Sequence, residues 1–422
     1  MKGYARGRGS GGRVVRRAAA IVRLWLLGLL SASACGGLEG ADGARATFRD
    51  SAGIRIAENP SPDDSADLVW WRVEGPLLDV GGEGVTEEYA LFRMSNALRL
   101  AEDRFVVANG GATDLRYYDA QGQHLATVGR QGEGPGEFRS LSALMRGPAD
   151  TLIVYDNQAR RFSVISPEPA FVRDFRFNDA GIVSLVIGRT STGNFVTVPT
   201  SVRGSPDEFP SGLIRPEQVV TVHSADGTLL DTVGTFLGAE RIVNIRQRNG
   251  EIVSIEISAP PFARTSTYVL SGDGLWVATQ DGPEITRYRL DGTQELSIRT
   301  GRQPVAVTRE HIDALIEARL QDAPPEAHAG IRSRYEEMPH PEFIPPYGSM
   351  VADATNRLWV ADYADPLAPP GRYTVYGEDG GVLARIVLPE NFRPYEIGED
   401  WILGRELDEL DVEHLRLYRI MR

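Results

Sequence analysis

Residues 97–129 read ALRLAEDRFVVANGGATDLRYYDAQGQHLATVG, four short apolar runs set between turn signals. The run Phe105–Asn109 (FVVAN) recurs as LIVYD at 152–156, FVTVP at 195–199, LWVAT at 275–279, LWVAD at 358–362 and WILGR at 401–405, at spacings of 47, 43, 80, 83 and 43 residues. A period of about 40–50 residues holding four short strands is that of a propeller blade. The other strands recur too. A second set reads LRYYDAQG (115–122), FSVIS (162–166), VVTVHSADG (219–227), ITRYRLDG (285–292) and YTVYGEDG (373–380). Most of these end in a hairpin turn whose Gly takes the positive φ that a tight turn requires. Outer strands follow (HLATVG, LLDTVG, ELSIRTG, VLARIVL), and inner ones precede (ALRLAED, SALMRGPAD, TSTYVLSGDG, YEIGED).

The two long intervals decide the blade count. In the 83-residue interval, Thr308 opens a helix with Ile312, Leu315, Ile316 and Leu320 on one face, and Pro324-Pro325 opens another with Ala327, Ile331, Tyr335 and Met338. The 80-residue interval holds a Pro-rich loop, 200–217, and one hairpin, Arg241–Ile245 with Ile252–Ile257. Neither supplies four strands. The fold expected is an all-β, six-bladed β-propeller, with seven blades as the alternative, carrying a helical insertion over residues 302–347. The last unit, ending in HLRLYRI at 414–420, lacks an outer strand. The N-terminal stretch from Leu77 aligns with the outer strand of the next unit and should close the ring, removing an open edge.

Composition narrows the function. The chain has 422 residues, 42% hydrophobic and 24% charged, with 45 Gly, 26 Pro and one Cys, which excludes disorder, a collagen-like chain, a disulfide framework and Cys-based metal clusters. The first 34 residues hold seven bases and no acid, then an apolar run, Leu24–Leu30, and small residues before Cys35. This is the pattern of a secretory signal, too short to be kept as a membrane span. Ala32-Ser33-Ala34-Cys35 resembles the bacterial lipobox, which implies cleavage after residue 34 and lipidation of Cys35; Arg16-Arg17 hints at twin-arginine export. Residues 35–47 are small and polar and read as a tether from a lipid anchor, with the propeller occupying 48–422. Without the seven bases of the leader the chain keeps 38 basic and 58 acidic residues, a net charge of about −20 that disfavours nucleic acid and anionic membrane surfaces. The membrane is therefore expected to be met through the lipid alone.

Gly132-Glu133-Gly134-Pro135-Gly136-Glu137-Phe138, with LIVYDN at 152–157, resembles NHL-type repeats and the bacterial six-bladed propellers related to them, and 406–420 resembles their closing segment. The resemblance, over about residues 50–422, implies the architecture and leaves the activity open, since such rings serve binding proteins, lyases and hydrolases.

Residues that could carry chemistry are few. Asn109, Asp156, Thr279 and Asp362 end equivalent strands. In propellers similar to lactonases and amidating lyases, axial acids and histidines bind metal, and this singles out Asp156 and Asp362, with calcium as the ion such acids would take. The same residue types also cap turns through side-chain to backbone hydrogen bonds. His124, His223, His311, His328, His340 and His414 show no shared blade position and no HExxH spacing. There is no G-x-S-x-G motif, and Lys2 is the only lysine. The motifs assign no catalytic residue and no cofactor. The extra length falls in connections that leave one face of the disc: 200–217, 235–264, 302–347 and 363–372. Long loops on a rigid scaffold are where recognition resides. The expected function is therefore an envelope-anchored lipoprotein whose decorated face binds a protein, peptide or glycan, with a metal-dependent lactonase-like hydrolase or amidating-lyase-like enzyme as the alternative.

Overall fold

Phe105–Asn109, Leu152–Asp156 and Gly274–Ala278 are buried at every position, although alternate side chains of a strand point to opposite faces. Each lies in a sheet covered on both sides, and for that reason these strands read as unbroken apolar runs. The structure, a computed structural model, describes residues 46–62, 68–177, 184–199, 211–249, 251–321 and 323–422. The expected leader, Cys35 and all of the tether before residue 46 lie outside the described residues.

Six four-stranded blades form the ring, blades 5 and 6 being joined into one eight-stranded sheet by a strand they share. Blade 1 is Met94–Arg99, Phe105–Asn109, Asp114–Tyr118 and His124–Val128, and blade 2 is Ala143–Arg146, Leu152–Asp156, Arg161–Ile165 and Phe171–Phe175. Blade 3 is Ser184–Arg189, Phe195–Pro199, Glu217–His223 and Leu229–Leu237. Blade 4 is Thr267–Ser271, Gly274–Ala278, Glu284–Arg289 and Gln294–Arg299, and blade 5 is Met350–Ala352, Leu358–Ala361, Arg372–Tyr376 and Val382–Val387. Blade 6 takes Phe392–Ile397, Trp401–Leu407 and Glu413–Met421 from the C-terminus and its outer strand, Trp70–Gly81, from the N-terminal side. Leu78 lies opposite Leu417 and Val80 opposite Leu415, so the first and last described parts of the ring are zipped together. Among the described residues there are six blades, not seven.

The core is not central but divided among the junctions between blades. Trp276 and Ile298 of blade 4 meet Met350, Leu358 and Tyr376 of blade 5. Trp359 and Ile386 of blade 5 meet Ile402 and Tyr418 of blade 6, and Leu78, Val80 and Leu415 of blade 6 meet Phe105 and Val107 of blade 1. Three further clusters fill the junctions 1–2, 2–3 and 3–4. Removing one blade would expose two of these clusters at once.

Two features extend the ring beyond the repeat. The hairpin Thr47–Ser51 and Ile54–Glu58 adds to the outer edge of blade 4, Ile56 running parallel beside Ser297. Trp70 and Trp71 pair with Arg385 and Ile386 at the outer edge of blade 5 before the same strand crosses to blade 6. No described helix is long and apolar enough to cross a membrane.

Candidate functional site

Adjacent strands of a blade run antiparallel, so the connections from second to third strand and from one blade to the next emerge on a common face. On that face the insertions assemble into a cap. The segment after blade 4 rises as a two-stranded stem, in which Val307 N donates to Glu342 O at 2.9 Å and Ile344 N to Val305 O at 2.8 Å. The stem carries helices α1 (Arg309–Gln321) and α2 (His328–Glu337). Thr308 starts α1. Its N–H and hydroxyl lie 3.0 and 2.7 Å from His311 Nδ1, so the third helical side chain reaches back to the cap residue and accepts its N–H.

Ile312, Ile316 and Leu320 form the buried stripe of α1 and pack on Phe262, from the connection between blades 3 and 4, and on Ile344 of the stem. Ile331 and Tyr335 of α2 and Tyr363 of blade 5 cover this cluster while remaining half-buried. Burial drives the Tyr363 hydroxyl up to about 12. The third insertion joins sideways: Gly212–Ile214 pairs with Arg241–Arg248, which forms a hairpin with Glu251–Ser258, and Arg334 of α2 bonds Glu256 of that hairpin at 3.1 Å. His311 Nε2 faces Asp365 of blade 5 at 3.7 Å. The cap thus has a small core of its own, built from two connections between blades and one loop of blade 5.

Ion pairs fix its base. Arg264 lies against Glu240, with Nε to Oε1 at 2.9 Å, and against Asp281 at 3.0 Å. These carboxylates hold the guanidinium more firmly protonated than usual, the Glu240 hydrogen bond most of all. Arg215 ties the third insertion to the carbonyls of Gly238 and Thr279 and to Asp281. Tyr347, the last residue of the expected insertion, is fully buried in the junction of blades 4 and 5, where its hydroxyl donates to Glu284 O at 2.8 Å. It belongs to the ring.

Two cavities flank the strap Pro341–Pro346. One, of about 410 Å³, is lined by Arg264, Gln280, Asp281, Arg302 and Phe343. The other, of about 270 Å³, is lined by Val305, Asp362, Tyr363, Asp365 and Arg372. Both share Arg302, Gln303, Ile344 and Pro346, so they are two chambers of one cleft. The side chain of Arg372 makes no hydrogen bond or ion pair among the described residues, and the residue lines the second chamber.

Asp156 and Asp362 stand on blades 2 and 5, three blades apart, and are not brought together. Asp156 is fully buried and accepts the backbone N–H groups of Arg139 (2.7 Å), Gln158 (3.1 Å) and Ala159 (2.9 Å). Asp362 is held by Arg385 through two 2.9 Å bonds and by Arg302. Asn109 accepts from Phe92 N at 2.9 Å, as Gln280 does from Thr265 N at 2.7 Å, so the strand-end acceptor that pins an incoming connection is a repeated device. Thr279 contributes only its carbonyl, to Arg215. The histidines serve locally: His223 stacks on Phe177 at 4.9 Å, and His414 bridges Asp79 (2.7 Å) and Asp408 (3.3 Å) at the ring closure. Among the described residues no three His, Cys, Asp or Glu side chains gather as a metal site would require. Arg302, Phe343 and Arg372, which line the cleft, belong to no motif.

No protein family and no curated protein matches this chain. Among solved structures it is similar to a Bacteroides fragilis protein (13% identity, 87% of this chain and 100% of that one, TM-score 0.48). It is also similar to a member of the DUF4221 family from Bacteroides vulgatus (10%, 85% and 100%, TM-score 0.49). A third likeness is to a catalytically inactive virginiamycin B lyase from Staphylococcus aureus (9%, 84% and 96%, TM-score 0.39). At these identities the likeness is one of fold alone.

Proposed function

We propose that this chain is an exported, lipid-anchored binding protein whose cap cleft holds a protein, peptide or glycan ligand. One observation carries the reading: connections from separate blades, all leaving one face, share a core and enclose a two-chambered cleft, while the opposite face keeps short turns. A ring needs no such core to close, and the apolar and charged groups lining the cleft are those a ligand would engage. The leader and Cys35 support export and anchoring, and the acidic charge supports a ligand that is not nucleic acid. Asp156 and Asp362 are committed to backbone N–H groups and guanidinia, which favours binding over metal-assisted hydrolysis.

Binding is tested on immobilised peptide and glycan panels with the intact chain, Phe343→Asp and Arg372→Glu. Phe343 is 41% exposed and Arg372 is unpaired, so both variants should melt like the parent. The reading expects at least ten-fold weaker binding by each. A ligand held equally by all three proteins would place the functional surface elsewhere.

A further inference from the structure

Three arginines converge on a separate cavity of about 460 Å³ at blade 2, on the same face as the cap. Arg139 comes from the connection between blades 1 and 2, Arg160 from the turn between the second and third strands of blade 2, and Arg176 from just beyond its outer strand. Gln158, Ala159 and Phe177 also line it, and Glu133 is the one carboxylate among the described lining residues. Glu133 bonds Arg139 at 3.0 Å. Arg160 and Arg176 have no hydrogen bond or ion pair among the described residues. In a chain of net charge −13, this cavity wall is therefore locally positive.

The wall is firmly built. Buried Asp156 fixes Arg139 N on one side and Gln158 N and Ala159 N on the other, so one carboxylate positions the backbone that carries two of the arginines. Arg161, 3% exposed, donates to Glu133 O at 2.9 Å and to Glu137 O, anchoring the connection that leads to Arg139. The repeat itself does not demand this charge. In blade 1 the residue whose N–H meets the strand-end acceptor is Phe92, and the left-handed turn position held by Arg160 (φ 49°) is held by Thr113 (φ 57°).

We infer that this cavity is a second binding site, for a small solute carrying carboxylate or phosphate groups. Guanidinium groups offer paired N–H donors that match the two oxygens of such an oxyanion. The volume lies within the range of about 300–1,000 Å³ found for small-molecule sites. The site stands on blade 2, apart from the cleft of blades 4 and 5, and does not depend on the function proposed for that cleft.

Titration calorimetry of the full-length chain with citrate, and separately with inorganic phosphate, tests it. Arg160→Gln and Arg176→Gln are compared with Arg173→Gln, an exposed arginine that stacks on Phe175 outside the cavity. The expected result is one saturable site for citrate or phosphate, weakened about ten-fold or more by each cavity variant, unchanged by Arg173→Gln, and weakened by added salt. Saturation by citrate alone assigns the site to polycarboxylates, and by phosphate alone to phosphorylated solutes. No saturable binding of either anion, or equal binding by all variants, overturns the inference. Melting curves of the variants separate lost binding from lost fold.

Discussion

Replacing Trp71 by Ala removes the side chain through which the N-terminal strand joins the last two blades. Trp71 is 8% exposed and packs with its ring centroid 5.8 Å from that of Trp359. The guanidinium carbons of Arg357 and Arg422 stand 5.2 and 5.0 Å from its ring. A buried Trp→Ala change costs about 3–5 kcal/mol, and the lost aromatic pair falls at the upper end of that range. The compact unit Gly43–Arg422 has about 380 residues, so its unfolding entropy near the midpoint is about 0.8 kcal/mol/K. A loss of about 4 kcal/mol then lowers Tm by about 5 °C if the ring unfolds in one step. Scanning calorimetry measures this, with Trp70→Ala as the control, because Trp70 is 48% exposed and should shift Tm by about 1 °C or less. A Trp71→Ala shift no larger than that of Trp70→Ala, or a lost minor transition beside an unmoved major one, would refute the claim that this strand belongs to the cooperative ring.

Alkaline pH should unfold the protein through its buried tyrosines. Burial raises Tyr118 and Tyr376 to about 12 and Tyr347 further. The unfolded chain therefore ionises first, near pH 10, and stability present below that pH falls as pH rises towards the folded values. Melts at pH 9 and pH 11.5 should show the later loss and little change before it. Asp362→Ala removes the carboxylate shared by Arg302 and by Arg385, which is 1% exposed, and should cost about 3–5 kcal/mol in urea unfolding, with Asp362→Asn milder. Cys35→Ser should release the protein from the membrane fraction on cell fractionation, and retention there would remove the lipid-anchor reading.

The ring was legible because each blade repeats short apolar strands at a near-constant period and both sheet faces are covered, so composition alone marks the strands. Closure by the N-terminal strand followed from the missing outer strand after residues 414–420. The hairpin at residues 47–58 was not legible, since its place beside Gln294–Arg299 depends on a pairing some 240 residues away that no local signal encodes. Gly212–Ile214 is similarly short and takes its partner from another connection. The helical pair shows in its apolar spacing, whereas Tyr347, at the end of the expected insertion, has a side chain that fills the ring, a placement no local signal encodes. At the sites, the strand-end acids were visible but their partners were not. Arg139 N reaches Asp156 only once the connection between blades 1 and 2 folds back, and Arg385 reaches Asp362 only across the paired strands of blade 5. The arginines of both cavities carry no motif, because their meaning lies in convergence and not in spacing.

The central claim is that recognition resides on a cap the ring can do without. Because Val307 N bonds Glu342 O across the stem, Thr308–Pro341, whose α1 stripe packs on Ile344 and so holds the cleft wall in place, can be replaced by a four-residue Gly/Ser turn that leaves Tyr347 in place. The most direct measurement is equilibrium binding, by this excised chain, of a ligand held by the intact one, with its melting curve recorded alongside. The account predicts a ring that still unfolds in one cooperative step and has lost the ligand; undiminished binding would contradict it.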